Sequence, residues 1–309
     1  MRILPTLRQL KYLVAVAEHR HFGRAAEECL VTQSTLSAGL RELEDLLGTT
    51  LVSRGKRQAT LTPVGEEVVE RARALLRAAD ELVDAAQAGG KPLSGLLRLG
   101  VIPTVAPYLL PRALPALRRT YPDLRLYLRE EQTARLVELL ARRRLDGAVI
   151  ALPYATAGLE AMVMGDDALL IACPEHHPFA VRPGIAGSEL AGQRLLLLED
   201  GHCLRNHALT ACGLLPGQAN EDLQATSLST LLQMVAGGLG LTLVPRLAVD
   251  VETRREPGLA VVPFSDDPPR RQIALVWRPD SVRAADLRLL GEALGRHLPG
   301  ADVPLPDAS

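Results

Sequence analysis

Hydrophobic positions recur at helical spacing from the start of the chain. Leu7, Leu10, Leu13, Val14, Ala17 and His21 predict one helix, and Phe22 to Cys29 a second, short one in which Ala25 and Ala26 permit close packing. After the turn Leu30-Val31-Thr32, a third helix from Gln33 to Leu47 gathers Leu36, Leu40, Leu43 and Leu47 on one face. Gln33, Ser34, Thr35, Ser37 and Arg41 remain for another face. The pattern turns strand-like over residues 51–54 and 59–62, which predicts a small hairpin with the basic loop Arg54-Gly55-Lys56-Arg57. Pro63 suits the first turn of a long helix reaching about Ala88. Its stripe of Val64, Val68, Leu75, Leu76, Leu82 and Val83 is more than a small domain can cover, so it requires a partner. Gly89-Gly90-Lys91-Pro92 is a stop and hinge.

Beyond the hinge, apolar strands alternate with amphipathic helices. Strands are expected at 96–102, 124–129 and 146–152, with helices at 107–119 and 133–143 between them. That order implies a parallel sheet in an α/β layer structure, which binds ligands at the carboxyl ends of its strands. Thr104 and Thr133 both fall at that edge. A second α/β unit starts near Met162. It holds the buried strand Leu195 to Leu198, a helix from Ser227 to Ala236 and a strand from Leu241 to Val244. A final strand, Arg271 to Trp277, and a helix, Ala284 to Leu298, return to the first unit.

Two helices, a tight turn and a third helix with a polar first face form a helix-turn-helix pattern. Such a helix enters the major groove with its first residues against base edges. Gln, Ser and Thr suit those edges, and Arg suits guanine or phosphate. The basic hairpin loop would lie on phosphates as a wing.

Composition changes the picture little. The 309 residues are enough for two or three domains, and 47% hydrophobic residues is ordinary for a globular chain. Net charge is −1. Within residues 1–62, however, nine Lys/Arg face six Asp/Glu, which mildly favours a nucleic-acid surface there. The apolar runs are too short to span a bilayer, and the first residues do not form a signal peptide, so a cytoplasmic protein without a membrane partner is expected.

The candidate chemistry lies in LLLLEDGHCLRNHALTAC, residues 195–212. Asp200 is placed to cap a helix starting at Gly201, which would put Cys203 in the first turn. The helix dipole, His202 and Arg205 would favour thiolate there, and Asp200 would oppose it. Cys29 and Cys173, among small or apolar residues, read as inert hydrophobes. Four cysteines in a chain of this class make no disulfide framework.

The stretches FGRAAEECLVTQSTLSAGLRELEDLLGTTLVSR and LTPVGEEVVERARALL resemble the winged DNA-binding domain of LysR-type transcriptional regulators. One departure is Ser34, where many relatives carry Pro. The resemblance continues through IPTVAPYLLP, EEQT, LLEDGHCLR, ATSLSTLLQMVAGGLGLTLVP and PRRQIALVWRP, where it is to the hydrogen-peroxide-sensing members of that family. It implies a winged helix-turn-helix over residues 1–62, a linker and dimerisation helix over 63–92, and a two-lobed, periplasmic-binding-protein-like α/β effector domain over 93–298. Lobe 1 would span 93–161 and 268–298, lobe 2 would span 162–267, and the tail 299–309 would be disordered. Also by resemblance, Cys203 is the peroxidatic cysteine and Cys212 the resolving one. Thr104, Thr133, His202 and Arg271 line the peroxide pocket. The partners are double-stranded promoter DNA, a second copy or a tetramer, and RNA polymerase, with no cofactor. Asn206 departs from the Asp expected there.

Other readings compete. Thr104, Thr133 and Arg271 could hold a small organic anion. His202, Cys203, His207 and Cys212 are metal-ligand types without the usual zinc spacing. A thiol peroxidase would have no need of the DNA-binding domain, and a Cys–His acyl-transfer site is weaker still.

Overall fold

A computed structural model describes residues 3–54, 59–88, 91–156, 158–211 and 224–299. The chain divides into two compact units, Met1–Gly90 and Lys91–Ser309.

In the first unit, α1 (Leu7–His19) opens with a capping box in which the Thr6 hydroxyl accepts from the Gln9 N–H and the Gln9 side chain reciprocates at Thr6. The chain leaves α1 at Arg20 in the left-handed region, so His21 is not on the α1 face that its spacing suggested. His21 instead caps α2 (Phe22–Glu28), its Nδ1 accepting from the N–H groups of Gly23 and Arg24. Thr32 caps α3 (Gln33–Leu47) in the same way. Leu36, Leu40 and Leu43 are buried, each stabilising the unit by about 1.5–3 kcal/mol. Leu47, on the last turn, is exposed rather than part of that face.

β1 (Val52–Arg54) and β2 (Ala59–Leu61) pair antiparallel. α4 (Pro63–Ala88) starts where the Thr62 hydroxyl accepts from the Gly65 N–H. Gly65 is required there, because a Cβ would lie 2.1 Å from the Leu51 carbonyl oxygen. Val69 and Ala72 of α4 join the core of the first unit, with Val68 and Leu76 half-buried against it. Val64, Leu75, Leu82 and Val83, on other turns of the helix, are exposed.

The second unit is built on one seven-stranded sheet. β3 (Gly95–Val101) pairs in parallel with β4 (Leu124–Glu130) and β5 (Gly147–Leu152). β6 (Glu160–Pro174) and β11 (Arg270–Trp277) run antiparallel beside them. The sheet of lobe 1 is therefore mixed, not purely parallel. β6 is one continuous strand rather than the start of a separate unit. Its first half pairs with β11, and its second half with β9 (Thr242–Pro245) and β10 (Leu259–Val262) in lobe 2. The lobes thus share a backbone ladder.

α5 (Ala106–Thr120), α6 (Thr133–Ala141) and α10 (Ala284–Gly295) belong to lobe 1. Lobe 2 carries α7 (Cys203–Ala211), α8 (Leu228–Ala236) and α9 (Arg246–Arg255). The expected strand over 195–198 is regular only as β7 (Leu197–Leu198), paired with β8 (Gln224–Ala225); Leu195 makes a lone bridge to Leu241. α6 and α10 end earlier than their apolar patterns suggest, α6 because Arg143 turns into the left-handed region. α9, β8 and β10 were not read from the sequence. No helix among the described residues is long and apolar enough to cross a membrane.

Candidate functional site

β3 and β4 are in parallel register, Val101 opposite Glu130. Thr104 and Thr133 each follow three residues later, so both stand at the same carboxyl edge. Both are buried. Arg271 joins Thr104 directly: its Nη1 donates to the Thr104 hydroxyl at 2.7 Å and its Nη2 to the Thr104 carbonyl at 3.0 Å. The Thr104 oxygen accepts from a cation, so its own proton is free to donate elsewhere. Thr133 Oγ1 is buried with no hydrogen-bond partner. An orphaned buried hydroxyl is costly unless a ligand or water completes it.

Arg271 is held by a residue the sequence reading missed. Asp167, opposite it on β6, accepts from Nε at 3.0 Å and Nη2 at 2.9 Å, and both side chains are 0% exposed. The other Asp167 oxygen accepts from the Leu247 N–H at 3.0 Å, in the first turn of α9. The only sequence signal was a charged residue at the head of the apolar run 168–172.

α7 faces this edge from lobe 2. Gln132, the residue before Thr133, reaches the Asp200 carbonyl at 3.5 Å, and the turn at Gly201 packs against it. The helix does not begin at Gly201 under an Asp200 cap. Gly201 has φ +94°, a left-handed conformation that cannot start a helix, so α7 begins at Cys203 itself. A Cβ at Gly201 would lie 2.4 Å from Gln132 Oε1. The Asp200 side chain is largely exposed and pairs instead with Arg205 Nε at 2.9 Å, while Arg205 Nη1 donates to the Leu198 carbonyl at 3.2 Å.

Cys203 is a free, buried thiol at the first position of α7, beside the N–H groups of that helix's first turn. Expected charge support from its neighbours is reduced. Burial lowers the His202 pKa, against a smaller opposite effect of Glu199, and so favours the neutral ring. The Arg205 charge is shared with Asp200. His207, one turn further along α7, is pushed down to about 4 by burial and then by Arg271, with the Pro153 carbonyl acting the other way. His207 Nδ1 is buried without a partner. Asn206 is exposed. Cys173 is buried within lobe 2 and its thiol is pushed up to about 11 by desolvation; burial also raises Cys29.

Cys212 lies outside the described residues, as do Gly55, Lys56, Arg57 and the tail beyond Pro299; nothing is described of the Arg54 side chain. Among the described residues, no three His, Cys, Asp or Glu side chains are grouped to hold a metal ion. On the first unit, Gln33, Ser34, Thr35 and Arg41 are exposed and Ser37 is half-buried. The Ser34 and Thr35 hydroxyls are drawn to the Thr32 cap at 2.9 and 2.8 Å.

Known proteins match this arrangement along nearly the whole chain. The model of the bacterial regulatory helix-turn-helix protein of the lysR family matches residues 7–66, and the LysR substrate binding domain matches 90–299. The hydrogen peroxide-inducible genes activator of Pectobacterium carotovorum subsp. carotovorum is 43% identical over 294 residues, 95% of this chain and 97% of that protein. A full-length OxyR variant from Pseudomonas aeruginosa superposes with a TM-score of 0.75 at 37% identity, covering 96% of this chain and 99% of that one. A hydrogen-peroxide-bound OxyR variant from Corynebacterium glutamicum does so with a TM-score of 0.67 at 37% identity, covering 96% and 94%. With a helix-turn-helix unit, a two-lobed α/β unit and relatives of this similarity over its full length, the chain belongs to the LysR family of transcriptional regulators.

Proposed function

We propose that the protein is a DNA-binding transcriptional regulator that senses hydrogen peroxide through reversible disulfide formation between Cys203 and Cys212, and that it controls oxidative-stress genes. The observation that carries this reading is a free thiol opening α7, in a unit where Thr104 and Thr133 stand at one carboxyl edge of the parallel strands, Arg271 donates to the Thr104 hydroxyl, and the buried Thr133 hydroxyl has no hydrogen-bond partner. The Cys203 thiolate attacks one peroxide oxygen. The O–O bond breaks, an S–O bond forms, and the departing hydroxide leaves as water once protonated. The sulfenic acid then condenses with the Cys212 thiol, forming the S–S bond and releasing a second water. Peroxide is reduced and the two thiols are oxidised.

The helix-turn-helix unit binds double-stranded promoter DNA. Gln33, Ser34, Thr35, Ser37 and Arg41 act in the major groove, and Arg54, Lys56 and Arg57 contact phosphates. The exposed α4 residues Val64, Leu75, Leu82 and Val83 fit pairing with a second copy, as a dimer or a dimer of dimers. The protein acts in the cytoplasm on RNA polymerase and is a regulator, not an enzyme. Mass spectrometry with peptide mapping after brief peroxide treatment tests the reading. A Cys203–Cys212 linkage in the wild type, and its loss in Cys203→Ser together with the peroxide response, is expected. A peroxide response intact in Cys203→Ser refutes it.

A further inference from the structure

Gln132 occupies the N-cap position of α6 with the extended backbone of a capping residue, φ −63° and ψ 152°, yet its side chain makes no cap hydrogen bond. On α1, α3 and α8 the same position is filled by a short side chain that does cap, Thr6, Thr32 and Ser227. A short hydroxyl or carboxamide there stabilises a helix by satisfying its first N–H groups, and Gln is not among the residues that do so. The Gln132 amide instead crosses to lobe 2, where its Nε2 donates to the Asp200 carbonyl at 3.5 Å. The whole amide group faces Gly201: a Cβ on that residue would lie 2.4 Å from Oε1, 3.0 Å from Cδ and 3.2 Å from Nε2. Only a residue without a side chain, here in the left-handed region at φ +94°, admits the amide so closely.

This contact joins the two halves of the proposed chemistry. One residue beyond Gln132 is Thr133, whose buried hydroxyl has no hydrogen-bond partner. Two residues beyond Gly201 is Cys203, the first residue of α7. Gln132 belongs to lobe 1 and Gly201 to lobe 2, so the placement of the thiol against lobe 1 depends on how the lobes meet here. We propose that Gln132 is a positioning residue for the oxidation of Cys203: its amide holds the Gly201 turn, and thereby the Cys203 sulfur, in register with the α6 N-terminus that carries Thr133. The proposal rests on the reading that peroxide oxidises Cys203. It deepens that reading by naming a residue that sets the attack geometry without touching the reacting atoms. Misplacing a reacting group by about 1 Å can cost a hundredfold in rate. α6 thus goes without a side-chain cap, and the residue at its cap position serves alignment.

The test compares the full-length wild type with Gln132→Ser. Serine caps α6 as Ser227 caps α8 but cannot reach Gly201. Oxidation of Cys203 by hydrogen peroxide and, separately, its alkylation by iodoacetamide are followed by quenched mass spectrometry over a range of pH, with thermal melts of both forms. Gln132→Ser should melt no lower than the wild type, because its cap is better. Peroxide should oxidise its Cys203 about ten- to a hundredfold more slowly. Alkylation needs thiolate but no groups to hold a leaving oxygen, so it should keep its rate and its pH midpoint. A wild type whose Cys203 is left intact by peroxide overturns the underlying reading, and the proposal with it. Given wild-type oxidation, the proposal alone is overturned if Gln132→Ser is oxidised at the wild-type rate, if its alkylation slows in proportion, or if slower oxidation comes with a lower melt.

Discussion

Replacing Leu209 by Ala should shift the redox equilibrium of the protein, not merely its stability. α7 is helical from Cys203 to Ala211. The eight helical steps from Cys203 to Ala211 span roughly 12 Å and Cys212 is only one further residue, about 3.8 Å, along the chain, whereas a disulfide needs Cα atoms within about 7 Å. Disulfide formation must therefore unwind this segment, and Leu204, Ala208 and Leu209, all buried in the thiol form, lose their places. A Leu→Ala change at a buried site costs about 2–5 kcal/mol. If that cost falls on the thiol form alone, the disulfide becomes harder to reduce by roughly 40–100 mV, since 1.4 kcal/mol is about 30 mV for two electrons. The assay equilibrates the full-length protein in dithiothreitol redox buffers, alkylates free thiols and reads the oxidised fraction by mass. Thermal melts of both forms run alongside. Leu287→Ala, on α10 and equally buried, is the control and should weaken both forms while leaving the midpoint in place. An unchanged midpoint for Leu209→Ala, with both forms destabilised alike, would refute the refolding argument.

Three further outcomes are expected. Gly201→Ala forces a left-handed φ on a residue with a Cβ and drives it into Gln132, so it should destabilise the effector unit by about 1–3 kcal/mol in a chemical-denaturation series and slow peroxide oxidation. His207 has a folded pKa of about 4 against an ordinary 6.5, so the unfolded chain binds the extra proton between those values. Its contribution to stability is full above pH 6.5 and is lost as pH falls towards 4; His207→Gln should flatten that part of the melting-temperature profile. Replacing Arg54, Lys56 and Arg57 together by Ala should make the logarithm of DNA affinity fall less steeply with salt, as fewer counterions are released. An identical slope by fluorescence anisotropy would exclude the wing as a phosphate contact.

Much of this molecule follows from local pattern. The three N-terminal helices, the hairpin and the long α4 are written in the spacing of residues such as Leu10, Leu13, Leu36, Leu40 and Leu43, because helix periodicity is a short-range effect; the caps Thr6, Thr32 and Thr62 were seen only in the structure. The alternation of strands and helices in the effector unit is equally local. So is the setting of Cys203, one residue past a strand-ending Glu199-Asp200-Gly201-His202 segment. Resemblance, not spacing, singled out Thr104, Thr133 and Arg271 as a set.

Local pattern did not contain the partners of these residues. That Asp200 pairs with Arg205 rather than capping α7, and that the turn at Gly201 leaves no room for a Cβ against Gln132, are contacts made only in the folded unit. That Arg271 is neutralised by Asp167 depends on the register of two strands 104 residues apart in sequence. That the His202 and His207 pKa values are lowered depends on burial in the folded unit. Charge compensation and desolvation act through space, across elements distant along the chain. The sequence by itself determined which reactive groups this protein carries and on which elements. Only the tertiary fold decided which charges cancel, because pairing and burial act between residues far apart along the chain.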